Sequence, residues 1–449
     1  MPKLIKFDVK KTLFRMAMPM LVGTITINAY NLADTWYVAQ LGTLPLAAMG
    51  FIFPIVMFFT FIARGVGIRV TALCSNAFGR EDNNAASNIV THGTILTILL
   101  SALLAVGGYF SIDTIFNKMG ANEATLPLVK GYMETWYMGA VFMAVPMMGS
   151  GILIALGDSK SASRFMAFGA LVNIILDPIL IFGWLGITAM GIWGAALATV
   201  ISQALSTVWL FYLLSIKYRL LNFKLADLHV LVVSWKKIAH FAIPASLTMM
   251  LMPVAAGIIT ALISKHGVEA VAAVSAAARM EMFAFVIPMA LGMTLTPFVS
   301  QNYGGNRIDR IIDARKYATK FALFYGILIV LIFYICAPYL AKLFTDDIKV
   351  TKIFILYVRT ISFGYGMMEV HRYCGFFLTG MNRPLYTTIL TLLRILGLLI
   401  PLSFLGNHYY EIAGIFTGRL LADVISGTVG IIWVGLVIKS KTKPVNQFV

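Results

Sequence analysis

The sequence predicts an all-α polytopic membrane protein with twelve transmembrane helices in two six-helix lobes. Three observations predict this fold. The chain is 59% hydrophobic and only 12% charged, long apolar runs recur along it, and its two halves resemble each other. Soluble domains are usually about one quarter charged, and a bilayer core about 30 Å thick is crossed by roughly 20 apolar residues of helix. The period-two alternation of a membrane barrel is absent, so the spans are predicted to be helices.

Polar breaks between the apolar runs define the twelve predicted spans. They cover about 12–40, 46–76, 88–112, 124–150, 161–184, 187–214, 236–264, 269–300, 316–344, 350–380, 385–405 and 410–438. Most lysines and arginines outside the spans fall on the side that holds the N-terminus. Cytoplasmic loops carry such an excess, so we expect both termini in the cytoplasm and the chain in a bacterial inner membrane. The net charge of +16 therefore does not indicate a nucleic-acid partner.

An internal repeat relates the two halves of the chain. The segment "AMPMLVGTI" around Pro19 aligns with "AIPASLTMM" around Pro244, and Tyr132 aligns with Tyr357. Each half has an even number of spans, so both enter the membrane in the same direction, as in the parallel repeats of secondary transporters. We predict an N-lobe at 1–214, a charged cytoplasmic linker at 215–235 and a C-lobe at 236–449, with a cleft between the lobes.

Catalytic and ATP-binding motifs are absent from the sequence. It contains no Walker A loop, no HExxH zinc helix and no G-x-S-x-G nucleophile elbow. Its cysteines, at 74, 336 and 374, have neither metal-site nor disulfide spacing. We therefore predict no enzyme activity, and any transport would be driven by an ion gradient.

Polar residues interrupt the first predicted span. Asp34 follows Tyr30 by four residues and Asn31 by three, so all three share one helix face. An ionised carboxylate in the middle of a membrane costs about 2.5–3.5 kcal/mol on insertion scales. Such a residue is a functional candidate, although an acid that only hydrogen-bonds a neighbouring helix would give the same pattern.

A second polar group lies in the fifth and sixth spans. Asn173 and Asp177 are four residues apart, and Pro178, which follows, removes a backbone donor. In the sixth span one face carries Ala195, Thr199 and Gln203. If the three helices converge, their oxygens suit either Na⁺ or a proton shared by two carboxyl groups. The sequence leaves this choice open.

The motifs of these spans resemble the multidrug and toxic compound extrusion (MATE) family, and most closely its DinF-like branch. The resemblance rests on "P-x₁₀-YNLAD", "NIILDP", "G-x-x-GAALAT" and "QNYG", and it covers the whole chain. It implies a coupling-ion site, with H⁺ or Na⁺ as the ion, in which Asp34 and Asp177 are the carboxylates. Asn173, Thr199 and the carbonyl of Ala195 would be its neutral ligands.

The resemblance also implies a substrate cavity in the N-lobe and a hinge. Tyr30, Asn31, Tyr132 and Met166 match cavity-lining positions, and Gln203 is placed with them by its helix face. Pro19 matches the point at which the first helix bends when the acids take up the ion. No cofactor is expected beyond a bound Na⁺ or proton.

Charged residues are unusually frequent in the C-lobe spans. They include Arg279, Glu281, Glu369, His371 and Arg372, with Arg394, Arg419 and Asp423 further along. Because both signs are present, an internally paired network is one interpretation. The other is a second polar site for substrate or protons, in which His371 is the group best suited to titrate near neutral pH.

We therefore predict a monomeric antiporter that exports small organic cations by alternating access and contacts only membrane lipid otherwise. Three alternatives remain. A flippase for lipid-linked oligosaccharides would need a cationic cavity. A membrane-embedded transferase would need a constellation of nucleophilic or metal-binding residues. A channel would be recognised by a measurable ion conductance.

Overall fold

The computed structural model describes residues 3–222 and 228–442, and within these ranges it contains helices and no strand. In chain order the α-helices are α1 (Lys3–Lys6), α2 (Val9–Gln40), α3 (Thr43–Gly79), α4 (Asn83–Lys118), α5 (Leu126–Met138), α6 (Ala140–Ala155), α7 (Ser159–Phe182), α8 (Gly191–Tyr212), α9 (Leu228–Ile263), α10 (Val268–Ala284), α11 (Val286–Gly304), α12 (Ile308–Lys342), α13 (Ile348–Ile361), α14 (Tyr365–Gly380), α15 (Pro384–Leu392) and α16 (Ile400–Thr442). Two π-helical turns, Leu213–Lys217 and Leu393–Leu399, extend α8 and join α15 to α16.

Two predicted spans are bent in the structure. The span predicted at 124–150 consists of α5 and α6, which meet at 56° around Gly139, and the span at 269–300 consists of α10 and α11, which meet at 53°. At Gly139 a side chain would collide with Val200 of α8, so the bend depends on a residue without a Cβ atom. The sequence pattern missed both bends because hydrophobicity continues across them.

Eight helices of the described residues are long and apolar enough to cross a membrane, and ten if each bent pair is one span. Two further predicted spans account for the difference from twelve. Helix α2 is made more polar by Asn28, Asn31 and Asp34, and the stretch Pro384–Ser440 holds two predicted spans in one uninterrupted run of helical residues. That stretch is kinked at Tyr410 and Glu411, whose φ angles of −135° and 51° are not helical.

The described residues form two compact units. Residues 16–246 belong to the first unit, and residues 4–15 together with those from 247 onward belong to the second. Each has its own apolar core: Phe59, Ile152 and Trp136 are buried in the first, and Phe354 and Phe416 in the second. The lobe boundaries at 214 and 236 remain predictions.

The start of the predicted linker is held on the first unit by hydrogen bonds. Ser87 Oγ donates to the carbonyl of Leu220 at 3.1 Å, and the backbone N–H of Asn222 donates to Thr91 Oγ1 at 3.0 Å. Asp158 adds a polar cluster: its carboxylate accepts from Tyr218 Oη at 2.5 Å and lies 3.4 Å from Lys217 Nζ. The same carboxylate caps α7 through the N–H of Ser161.

We expect Asp158→Asn to lower the free energy of unfolding by about 1 kcal/mol at neutral pH. The effect is small because solvent screens the charge of this partly exposed carboxylate. Burial alone would raise the pKa of the carboxyl group, but the hydrogen bonds from Tyr218 and Ser161 lower this pKa to about 2. The folded pKa lies below the unfolded value of about 3.9. The contribution is therefore complete above about pH 4 and is lost as the pH falls towards 2.

Thermal unfolding of the purified protein at pH 7 measures this effect. Asparagine caps a helix as well as aspartate does, so the substitution isolates the contacts of Oδ2 to Tyr218, to Lys217 and to the hydroxyl of Ser161. Tyr218→Phe should give a smaller decrease of the same sign. An unchanged melting temperature for Asp158→Asn would contradict the prediction.

Helices α7 and α8 pack closely at Gly194. A Cβ atom at this position would lie 2.6 Å from the carbonyl oxygen of Leu180 and 3.0 Å from the nitrogen of Ile181. These are backbone atoms of α7 and cannot rotate away. We expect Gly194→Ala to lower stability by about 1–3 kcal/mol, the usual cost of overpacking a tight contact.

The measurement is again a melting temperature, and Gly131 offers the matched control. A Cβ atom at Gly131, in α5, would meet nothing within 4 Å. Gly131→Ala should therefore be neutral or slightly stabilising in its helix. Equal melting temperatures for the two variants would show that the α7–α8 contact is not tight.

Candidate functional site

The deepest part of the site lies between α7 and α8. Asp177 and Asn173 are 0% and 1% exposed, and Thr199 of α8 is also buried. In the amide orientation that satisfies both polar atoms of Asn173, its nitrogen donates to Asp177 Oδ2 at 2.9 Å, and its oxygen accepts from the Thr199 backbone at 3.2 Å. Thr199 Oγ1 donates to the carbonyl of Ala195 at 3.0 Å. The four predicted residues of these two helices thus share one polar chain.

Helix α2 brings its polar face to the same place. The hydroxyl of Tyr30 is within hydrogen-bonding reach of Thr199 and within electrostatic range of both Asp34 and Asp177. Tyr132 of α5 is buried and lies within range of the same two carboxyl groups. Asp34 itself is half-buried. Tyr30 and Tyr132 therefore border the pair of acids.

The pair of carboxyl groups can bind a proton or a hard cation. Asp177 Oδ1 is buried and has no hydrogen-bond partner within residues 3–222 and 228–442. Two nearby carboxylates disfavour double ionisation, and a buried oxygen without a donor costs free energy until it meets a proton or cation. The described residues contain no group of three or more His, Cys, Asp or Glu side chains that could hold a metal ion.

Three other predicted cavity residues take no part in this polar chain. Met166 of α7 is half-buried and packs against α2, since its sulfur would be 3.3 Å from a Cβ atom at Gly23. Asn31 is exposed, and its carbonyl accepts a hydrogen bond from Thr35. Gln203 is half-buried, four residues beyond Thr199 on α8. The structure gives none of the three side chains a polar contact to the acids.

The predicted hinge lies within a continuous helix. Helix α2 runs from Val9 to Gln40 through Pro19, and the next residue, Met20, is fully buried. Proline removes one backbone hydrogen bond of the helix interior, so α2 is locally weakened at Pro19. A bend there remains a prediction.

In the second unit, Glu281 of α10 lies at the centre of a hydrogen-bonded cluster. Its Oε1 accepts from Arg419 Nη2 and from Tyr365 Oη, each at 2.8 Å, and its Oε2 accepts from Tyr357 Oη at 3.3 Å. Arg419 Nη1 also donates to Tyr357 Oη at 2.6 Å. Because Tyr357 is the repeat partner of Tyr132, each unit places this tyrosine beside a membrane-embedded acid.

A second ion pair joins the π-helical turn to α16. Arg394 is 7% exposed, and its Nη2 lies 2.6 Å from Asp423 Oδ1, which also accepts from Nε at 2.8 Å. Glu369 and His371 of α14 lie within electrostatic range of Arg394. Glu369 pairs with Arg372 at 3.1 Å. Six of the predicted C-lobe charges thus form three ion pairs, whereas His371 and Arg279 have no ion-pair partner among the described residues.

Sequence reasoning missed two tyrosines of these clusters as site residues. Nothing in the sequence indicates Tyr365 as a site residue, and the repeat identifies Tyr357 only as the partner of Tyr132. Their partner Glu281 precedes them by 84 and 76 residues. The only available signal was the repeat itself, which relates Tyr357 to a residue in the N-lobe cavity.

Known proteins resemble this chain over almost its full length. The sequence profile of the MatE family matches residues 19–179 and 244–405, once in each predicted repeat. A FAD transporter from Shewanella oneidensis is 33% identical over 424 residues, which cover 94% of each chain. The multidrug export protein MepA of Staphylococcus aureus strain MRSA252 is 25% identical and covers 93% of this chain and 92% of its own.

Solved structures share the fold. The Vibrio cholerae MATE transporter VcmN in its bent form is 28% identical, with a TM-score of 0.91 over 96% of this chain and 98% of its own. A transporter from Pyrococcus furiosus, described as having a binding pocket of reverse polarity, is 27% identical, with a TM-score of 0.89 over 99% of both chains. These relatives are transporters rather than enzymes. Together with the twelve-helix, two-lobe architecture, the matches show that this chain is a multi-pass membrane transporter of the MatE family.

Proposed function

We propose that this transporter is an ion-coupled antiporter that exports small organic molecules, organic cations among them. The observation that supports it best is the buried carboxyl group of Asp177, which has one partnered and one unpartnered oxygen and lies within range of Asp34. A group of this kind has two states, empty and ion-loaded, that differ in charge. Only such a difference lets an ion gradient drive a conformational equilibrium.

The proposed cycle uses the polar chain of α2, α7 and α8. With both acids deprotonated, the negative charge favours a cationic substrate in the cavity bordered by Tyr30 and Tyr132. Entry of H⁺ or Na⁺ neutralises Asp34 and Asp177 and removes this attraction. Asn173, Thr199 and the Ala195 carbonyl supply the neutral oxygens for Na⁺, whereas a proton needs only the carboxylates. Pro19 is where α2 would bend, shrinking the cavity and releasing the substrate.

We place this cycle in a bacterial inner membrane with both termini in the cytoplasm. The support is the positive-inside bias of the loops and the bacterial origin of several relatives. A single chain holds both repeats, so we propose that the monomer is the working unit.

A second candidate substrate is a flavin dinucleotide. It is favoured by one observation: the relative that is 33% identical over 94% of both chains is named a FAD transporter. Such a substrate is aromatic but anionic, so the acids of the first unit would not attract it. A cationic group elsewhere would have to bind its phosphates.

Efflux from proteoliposomes loaded with ethidium or FAD tests the proposal. A pH gradient and a Na⁺ gradient are imposed separately, with empty liposomes as the control. We expect one gradient alone to accelerate efflux of at least one substrate, which would identify the coupling ion. If neither gradient accelerates either substrate, while the protein flips a labelled lipid, the antiporter proposal is wrong and the flippase interpretation replaces it.

A further inference from the structure

Arg279 of α10 differs from the other arginines in the spans of the second unit. It is exposed and has no ion pair or hydrogen bond to any of the residues that the structure describes. The others each have a polar partner: Arg359 donates to Tyr334, Arg372 to Glu369, Arg394 to Asp423 and Arg419 to Glu281. A guanidinium without a partner is available to a ligand.

Arg279 lies in the interior of the span predicted at 269–300. Glu269 lies at the start of the helix and of the span predicted at 269–300; it pairs with Lys349 at 3.8 Å, and both side chains are exposed. Arg279 follows Glu269 by ten residues, about 15 Å at the rise of an α-helix. An arginine facing lipid at this depth costs about 2.5–3.5 kcal/mol or more, so intramembrane arginines face a water-filled cavity or a partner.

The face of α10 that carries Arg279 also carries a methionine and an aromatic ring. Met282 and Phe283 follow at three and four residues and are 56% and 66% exposed, whereas Glu281 points to the buried cluster on the other side. Residues three and four apart share a helix face. Methionine and phenylalanine contact flat aromatic ligands, so this face combines a phosphate-binding group with an apolar platform.

The internal repeat shows that the cation is particular to the second unit. The offset that aligns Pro19 with Pro244 aligns Met282 and Phe283 with Met57 and Phe58 of α3, and Phe58 is also exposed. At the position of Arg279, however, the first unit has Pro54. The apolar part of the face is thus repeated, whereas the charge is present in the second unit only.

We infer that this face, Arg279 with Met282 and Phe283, binds the phosphate and the ring of an aromatic phosphate ester during transport. The inference rests on the flavin candidate of the proposed function and deepens it by assigning a phosphate-binding residue. The planar guanidinium offers two parallel donors to a phosphate. Met282 and Phe283 pack against the ring.

Equilibrium binding to the detergent-purified protein, followed by flavin fluorescence, tests the inference without any ion gradient. The probes are flavin mononucleotide and riboflavin, which differ by one phosphate group. We expect Arg279→Ala to raise the Kd for the mononucleotide by about tenfold or more and to leave the Kd for riboflavin within about twofold. Arg279→Lys keeps the positive charge but lacks the planar guanidinium with its parallel donors. Its Kd for the mononucleotide should lie between the values for wild type and Arg279→Ala.

Lys342→Ala is the matched control, because it removes the same charge from an exposed helix end of the same unit. It should leave both affinities unchanged. The inference is wrong if Arg279→Ala leaves the affinity for the mononucleotide unchanged, or if it lowers the affinities for both probes by the same factor. It is also wrong if the wild-type protein binds the two probes with equal affinity. Each of these results is compatible with gradient-driven ethidium efflux, so the inference can fail while the antiporter proposal stands.

Discussion

Replacing Asp177 by asparagine is expected to reduce gradient-driven efflux to the level of empty liposomes. Asparagine has nearly the same shape, and the bond between Asn173 and this side chain can be kept by the new carbonyl oxygen. What is lost is the ability to alternate between a charged and a neutral state. Without that difference, an ion gradient has no differential interaction through which to shift the conformational equilibrium. The initial rate of ethidium efflux under the effective gradient measures the loss.

Asp113→Asn is the control for this experiment. Asp113 is also an acid on a long helix, but it is exposed and pairs with Lys130 at 3.0 Å near the end of α4. This variant should transport like wild type, since an exposed pair contributes little. If Asp177→Asn retains the wild-type rate and its gradient dependence, Asp177 is not the coupling residue and the proposed cycle fails at its first step.

Replacing Arg394 by methionine is expected to give the largest loss of stability. Asp423 is 0% exposed and has Arg394 as its ion-pair partner, at 2.6 Å. Removing one member of a buried pair leaves an uncompensated charge and costs about 3–5 kcal/mol. We expect a lower yield of folded protein and a clearly lower melting temperature in detergent.

A double variant separates the charge from the packing. Arg394→Met combined with Asp423→Leu removes both charges at once, and a buried pair replaced by apolar residues is often neutral or stabilising. The double variant should therefore be more stable than Arg394→Met alone. If it is equally unstable or worse, the loss comes from the shape of the π-helical turn rather than from the unpaired carboxylate.

The fold could be predicted from the sequence because the length and hydrophobicity of a segment are enough to identify it as a membrane helix. The same holds for the polar face of α7, where the four-residue spacing of Asn173 and Asp177 places both side chains on one side. That Thr199 lies opposite them followed from the family motif, since its own sequence position says nothing about which helix it meets. The structure places all three in one hydrogen-bonded chain.

The pairing of charges in the second unit could not be predicted. Glu281 and Arg419 are separated by 138 residues, and each has several residues of opposite charge as alternatives. Which partner each residue meets depends on the rotation of its helix and on the helix position along the membrane normal. Hydrophobicity specifies both only coarsely when a helix is apolar on most sides. Hydrophobicity also does not indicate the bends at Gly139 and near Phe285, because the residues at a change of helix direction can be as apolar as those on either side.

The assignment of residues 4–15 to the second unit bears on the origin of the chain. The corresponding residues of the second repeat, 229–240, lie within the first unit. Each repeat thus contributes the beginning of its first helix to the other repeat's compact unit. Two separate copies of a six-helix ancestor with this arrangement would be a domain-swapped dimer.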